Sequence, residues 1–262
     1  MEVPIIQNDA SSPAEQLSNT LDAYNREHIE FINLATHDLD APLRKLSTLV
    51  DMLSRKLTLS LEDKEVARYI ERIGSCLGDM RLLIDDLSML SKVISDKEDY
   101  ADSDTKTIIE EVVADFQPQL KEKQIQIVVE KMPTLLARPR QLYRLFRCII
   151  ENAIKFRRAD TEPVITIRSI PTTPEERQRL KLASDREYHK IEICDNGIGF
   201  DQINAEKIFK PFQRLHGKSQ FTGNGIGLAV CRKVTENHGG IIYAEGKENS
   251  GACFVLLLPA NH

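Results

Sequence analysis

Tryptophan is absent from these 262 residues, and aromatics of all kinds make up only 6%. With so few rings to stack on bases, and with lysine and arginine scattered rather than gathered in blocks, the chain offers little that a nucleic acid could use. No apolar run comes near the roughly 20 residues needed to cross a bilayer. The opening "MEVPIIQNDASSPAEQ" lacks the basic segment and apolar stretch of a secretory leader. No membrane segment is expected, and the expected location is the cytoplasm. The five cysteines, at 76, 148, 194, 231 and 253, show no C-x-x-C spacing and read as reduced, mostly buried thiols. Internal repeats and low-complexity tracts are also missing. What is there, a chain 41% hydrophobic with a net charge of -5, suits one or two globular domains with ordinary cores.

Residues 1–24 are polar, contain Ser-Ser-Pro, and read as a flexible lead or linker. After them Ala35, Leu39, Leu43, Leu46, Val50, Leu53 and Leu57 recur in steps of four and three, one stripe of an α-helix with the character of a coiled-coil seam. At about 100° per residue, His37 falls roughly 160° from the centre of that stripe and faces outward. Asp38 sits beside it, and Pro42 removes a backbone donor, so the helix should bend just after the histidine. A second stripe, Val66, Ile70, Ile73, Leu77, Met80, Ile84 and Leu87, follows after a short polar connection. Two such helices form an antiparallel hairpin that cannot close a core alone, whereas two copies make a four-helix bundle. A homodimer is expected, with residues 25–95 as its dimerisation domain.

The charged stretch 96–106 lacks apolar periodicity and reads as a hinge linker. From 107 to 262 the pattern is mixed: helices near 105–122, 139–157 and 225–238, and strand-like runs "IQIVVE", "VITIRSI", "HKIEICD", "GIIYAEG" and "ACFVLLLP". That mixture predicts an α+β sandwich, a sheet covered on one face by helices.

Four segments of this second half carry chemistry. In "ENAIKF", Asn152 offers an amide oxygen of the kind Mg²⁺ accepts, with Lys155 one helical turn away. In "IEICDNGIGFD" a strand ends at Asp195, whose carboxylate can accept a hydrogen bond from an exocyclic amine such as that of adenine. Gly197 and Gly199 beside it allow close backbone approach. "IFKPF" precedes a polar loop, and "TGNGIGLAVCRKV" runs from a loop into a helix, aiming the amides around Gly225 and Gly227 at an anion such as phosphate.

In order and spacing these pieces resemble the sensor histidine kinases of two-component systems, over roughly residues 25–260. "THDLDAPLR" resembles the phospho-acceptor box, in the version found in phytochrome-type kinases; "RCIIENAIKF" resembles the N box, "DNGIGF" the G1 box, "IFKPFQRLHG" the F box and "GNGIGLA" the G2 box. The resemblance implies a dimeric helical hairpin hinged to a catalytic domain of the fold shared by histidine kinases, gyrase and Hsp90. It implies that His37 takes the γ-phosphoryl group of ATP, with Asp38 orienting the ring or accepting the displaced proton. It further implies that Asn152 ligates Mg²⁺, that Asp195 binds adenine, and that Arg214 or Lys218 steadies the phosphates beside Gly223, Gly225 and Gly227. The phosphoryl group would pass to an aspartate on a separate response regulator, under control of an upstream sensor domain or partner.

Two positions depart from the family's pattern. Cys148 stands where many of these kinases have a first asparagine and the related ATPases have a glutamate base, which argues against a water-activating clamp of the gyrase type. Ala41, four residues after His37, lacks the donor or acceptor of members that also dephosphorylate their partner, so phosphatase activity is expected to be weak. The alternative to an active kinase is a dimeric signalling scaffold that acts by conformation alone.

Overall fold

The structure, a computed structural model, describes residues 39, 43–55, 64–95, 98–180, 182, 186–215, 221 and 224–260. His37, Asp38, Ala41, Pro42, Lys218 and Gly223 lie outside the described residues.

Helix α1 (residues 43–55) packs against helix α2 (Lys64–Ser95). Leu43, Leu77 and Ile84 form a small buried cluster with Val50 against it, and Gly74 lets α2 approach Val50 closely. Val50 beside Gly74 and Leu43 beside the Leu77–Ile84 turn run the helices antiparallel. The heptad stripe read from sequence divides in two. Ile70, Leu77 and Ile84 are buried, while Leu39, Leu46 and Leu53 on one helix and Ile73 and Met80 on the other stay 44–51% exposed. Each helix thus has one apolar seam inside the hairpin and a second one facing outward.

Beyond α2 come β1 (Ala101–Asp104), α3 (Thr105–Asp115), α4 (Gln117–Glu122), β2 (Gln126–Val129), β3 (Thr134–Ala137) and α5 (Pro139–Lys155). They are followed by β4 (Val164–Pro171), α6 (Pro174–Arg179), β5 (Tyr188–Asp195), α7 (Gly227–Asn237), β6 (Ile241–Lys247) and β7 (Gly251–Pro259). Part of the segment read as a linker is a strand: β1 pairs antiparallel with β3, and Ser103 is buried between them. With Asp, Ser and Asp in four residues, β1 carries no apolar alternation to reveal it. The expected helix near 105–122 is two helices, broken at Phe116, where Pro118 begins a new turn. Helix α6, closed by a capping box from Thr173 to Glu176, has no buried residue and left no periodic signal.

The main sheet runs β2-β4-β5-β7-β6, parallel only between β2 and β4. Its inner face, with Ile165, Ile167, Ile191, Ile193, Phe254 and Leu256, packs on the apolar faces of α3, α5 and α7 to form one core. This is the expected α+β sandwich behind a helical N-terminal part. Val93, near the end of α2, is fully buried in the same core, and the Asn237 amide donates to its carbonyl (2.9 Å). The end of the stalk is thereby fastened to the second domain.

The cysteines differ from expectation. Cys194 and Cys253, directly opposite on β5 and β7, are joined by a disulfide. Of the others, Cys76 is exposed, Cys148 half-buried and Cys231 buried. Cross-strand neighbours 59 residues apart leave no local spacing to read.

Candidate active site

A cavity of about 400 Å³ opens between the C-terminal half of α5, the end of β5 and the start of α7. Its floor is built by strand pairing. β5 ends at Asp195, opposite Ala252 of β7, and the Asp195 carboxylate accepts hydrogen bonds from the backbone amides of Gly197 (2.8 Å) and Ala252 (3.4 Å). Burial pushes its carboxyl above the ordinary range, and the two amides work against that shift. The second carboxylate oxygen makes no hydrogen bond among the described residues, so an acceptor stands at the base of an apolar slot that includes Ile226, Phe254 and Val230. Such a slot fits a flat heterocycle with an exocyclic amine.

The turn after β5 is fixed by close backbone approach. Gly199 has φ +62°, and a side chain there would meet the carbonyls of Lys247 and Gly251. Gly197 packs against the carbonyl of Phe156, which accepts from the amide of Ile198 (2.9 Å). Asn196 holds the turn to the neighbouring strand, accepting from the Val164 amide and donating to the Glu162 carbonyl.

The other end of the cavity is cationic. Helix α5 brings Asn152 and Lys155 to the wall together with Glu151, and Arg214 enters from the segment before α7, its guanidinium donating to the Phe221 carbonyl (2.5 Å). Burial, and then the Arg214 charge, lower the pKa of Lys155. Two cations that repel one another in one cavity favour a polyanion. Among the described residues no side chain caps the start of helix α7 at Gly227, so its first amides could serve such an anion. Gly225, at φ +77°, turns the chain into this helix against the Gln213 carbonyl.

The Asn152 carboxamide lines the cavity and has no side-chain hydrogen bond among the described residues. A hard amide oxygen with a carboxylate, Glu151, next to it fits Mg²⁺ held mainly by water and phosphate. Cys148, one turn earlier, lines the same wall and offers only a soft thiol.

Of the residues singled out from sequence, the structure brings Asn152, Lys155, Asp195, Gly199, Arg214, Gly225 and Gly227 to this cavity, with Gly197 just behind Asp195. Sequence reasoning missed Glu151, Phe156, Phe221 and Phe254, and also Leu82 and Met89, which reach the cavity from α2. The last two lie seven apart on a stalk helix, and only the docking of that helix places them there.

In the second half a three-helix layer covers one face of a mixed sheet, and the cavity opens at the ends of α5, β5 and α7. Residues 137–262 match the family described as histidine kinase-, DNA gyrase B- and HSP90-like ATPase. The chain is 30% identical to the phytochrome-like protein Cph1 of Synechocystis over 246 residues, covering 93% of this chain and 31% of that protein. It spans about a third of the length of that protein and of similar curated relatives. Among solved structures, full-length ShkA in complex with AMPPNP superposes with TM-score 0.61 at 20% identity, covering 89% of this chain and 46% of that one. Histidine kinase ThkA in complex with response regulator protein TrrA gives 0.56 at 19%, covering 97% and 68%. Residues 137–262 thus have the form of the domain shared by histidine kinases, DNA gyrase B and HSP90, and over most of its length the chain is similar to histidine kinases.

Proposed function

We propose that this chain is an ATP-dependent protein-histidine kinase that phosphorylates itself on His37 and passes the phosphoryl group to an aspartate of a separate response regulator. The observation that carries the reading is the cavity itself: an amine acceptor, Asp195, at its apolar floor and two mutually repelling cations, Lys155 and Arg214, at its wall. Asp195 takes the adenine amine; Lys155, Arg214 and the start of α7 hold the phosphates, together with Lys218 and Gly223, which lie between Arg214 and α7 in the sequence. Asn152 holds Mg²⁺, which neutralises phosphate charge.

The chemistry asked of the protein is mainly positioning. A ring nitrogen of neutral His37 forms a bond to the γ-phosphorus as the bond to the β-γ bridging oxygen breaks; ADP leaves, and Asp38 accepts the proton from the ring or orients it. At a reference pKa of about 6.5, much of the imidazole is neutral near pH 7. The outward seams of α1 and α2 bury against a second copy, so the working unit is a homodimer in the cytoplasm. Among the described residues no helix is long and apolar enough to cross a membrane. Input comes from a sensor domain or partner, in keeping with the longer relatives. The complexes of ShkA with AMPPNP and of ThkA with TrrA support the nucleotide and regulator assignments. The proposed domains are 25–95 for dimerisation and phospho-acceptance and 107–262 for catalysis, with β1 carrying the second domain back to Ala101, and Ala41 leaves phosphatase activity weak.

Incubation with Mg²⁺ and ATP tests this. The expected result is a burst of ADP matched by acid-labile, base-stable phosphate on the protein. Steady ATP turnover with no phosphoprotein contradicts it.

A further inference from the structure

The disulfide lies one rung behind the cavity floor. Cys194 pairs with Cys253, and the next rung is Asp195 with Ala252, both of which line the cavity. Side chains alternate across a sheet, so with Ile193 and Phe254 in the core the two sulfurs sit on the outer face, away from the helices. Both cysteines are half-buried there. The Asp195 carboxylate depends on this stretch of β7 for its second donor, the Ala252 amide. The strand ends are also tightly apposed, since Gly251 leaves no room for a side chain against the Asp195 carbonyl. The Glu192 carboxylate lies within 4.8 Å of both sulfurs and is itself held by Arg168 (2.7 Å) and Lys190 (3.1 Å).

We propose that Cys194–Cys253 is a redox modification site for a dithiol reductant, and that its oxidation state sets the affinity of the cavity for adenine nucleotide. This rests on the reading of the cavity as a nucleotide site. In the exchange, one thiolate of the dithiol attacks one sulfur of the bond and the other sulfur leaves as thiolate. The second thiol of the reagent, as thiolate, then attacks the reagent's own sulfur in the mixed disulfide and expels the second protein sulfur as thiolate, so that two electrons and two protons have passed from reagent to protein. The dithiol ends as its own disulfide. With the bond intact the last rungs of β5 and β7 are tied and both amides stay on Asp195. With it reduced the strand ends can part, and the carboxylate loses its second donor.

The test uses the full chain purified without reductant, with the Cys194–Cys253 bond verified by peptide mapping. AMPPNP is titrated before and after treatment with dithiothreitol. Loss of one backbone donor to the carboxylate predicts binding weaker by about threefold to tenfold after reduction, restored on reoxidation. A Cys194→Val/Cys253→Val pair keeps an apolar, β-branched rung and serves as a folded control. It should bind as the reduced form does and ignore dithiothreitol. Equal affinity of the oxidised and reduced chains overturns the proposal, as does a response to dithiothreitol that persists in the valine pair. Failure of AMPPNP to bind in either form instead rejects the nucleotide-site reading, and the proposal with it.

Discussion

Lys155 and Arg214 bring two positive charges into one cavity, close enough that the Arg214 charge helps to lower the pKa of Lys155. In the free protein this arrangement is unfavourable, and a bound phosphate would relieve it. Lys155→Ala and Arg214→Ala are each expected to weaken ATP binding by about tenfold, a loss on the order of 1.4 kcal/mol. Their effect on adenosine, which has no phosphate, should be small. Isothermal titration with ATP and with adenosine checks the contrast, and equal losses for both ligands contradict it.

Asp195 gives a prediction with opposite signs for stability and binding. Its folded pKa is raised by burial, so its contribution to stability is fully present below the unfolded value of 3.8 and is lost as pH rises through the folded value. At neutral pH the nucleotide-free protein therefore carries the cost of a buried charge. Asp195→Asn should melt higher than the parent at pH 7, with the difference vanishing in acid, while its AMPPNP affinity falls by about tenfold or more. Melting curves across pH, paired with titrations, measure both.

Asn152 is predicted to act through the metal. Asn152→Ala should bind AMPPNP in EDTA about as the parent does, but lose most of the added affinity that Mg²⁺ confers. An unchanged Mg²⁺ effect would move the metal site elsewhere, Glu151 being the next donor on that wall.

The outward seam of the stalk predicts the oligomer. Leu46 and Met80 are 49% and 44% exposed in a single chain. If a second copy covers them, each, being already half-buried, contributes on the order of 1 kcal/mol to association. Leu46→Glu/Met80→Glu should run as a monomer in analytical ultracentrifugation while AMPPNP binding is retained. A double variant that stays dimeric refutes this face as the interface.

Much of this was legible in the sequence, for identifiable reasons. Asn152, Asp195 and the glycines around 197–199 and 225–227 stand at junctions of strand, helix and turn, where a change of period marks the position and the residue type gives the chemistry. The five strands of the main sheet were visible because their inner faces are apolar runs. What was not visible depends on distant pairing. β1 is polar and is a strand only because β3 lies beside it; α6 buries nothing; Leu82 and Met89 meet the cavity through the docking of α2. The thiol reading failed at Cys194 and Cys253 for the same reason, since only the β5–β7 register puts them together.

The central claim, transfer from a nucleotide in this cavity to the imidazole of His37, is tested most directly by mapping the phosphate. After incubation with Mg²⁺ and ATP, fragmentation that preserves phosphohistidine should place the group on His37, and His37→Gln should carry none while still binding AMPPNP. Phosphate on any other residue, or an undiminished yield in His37→Gln, would contradict the account.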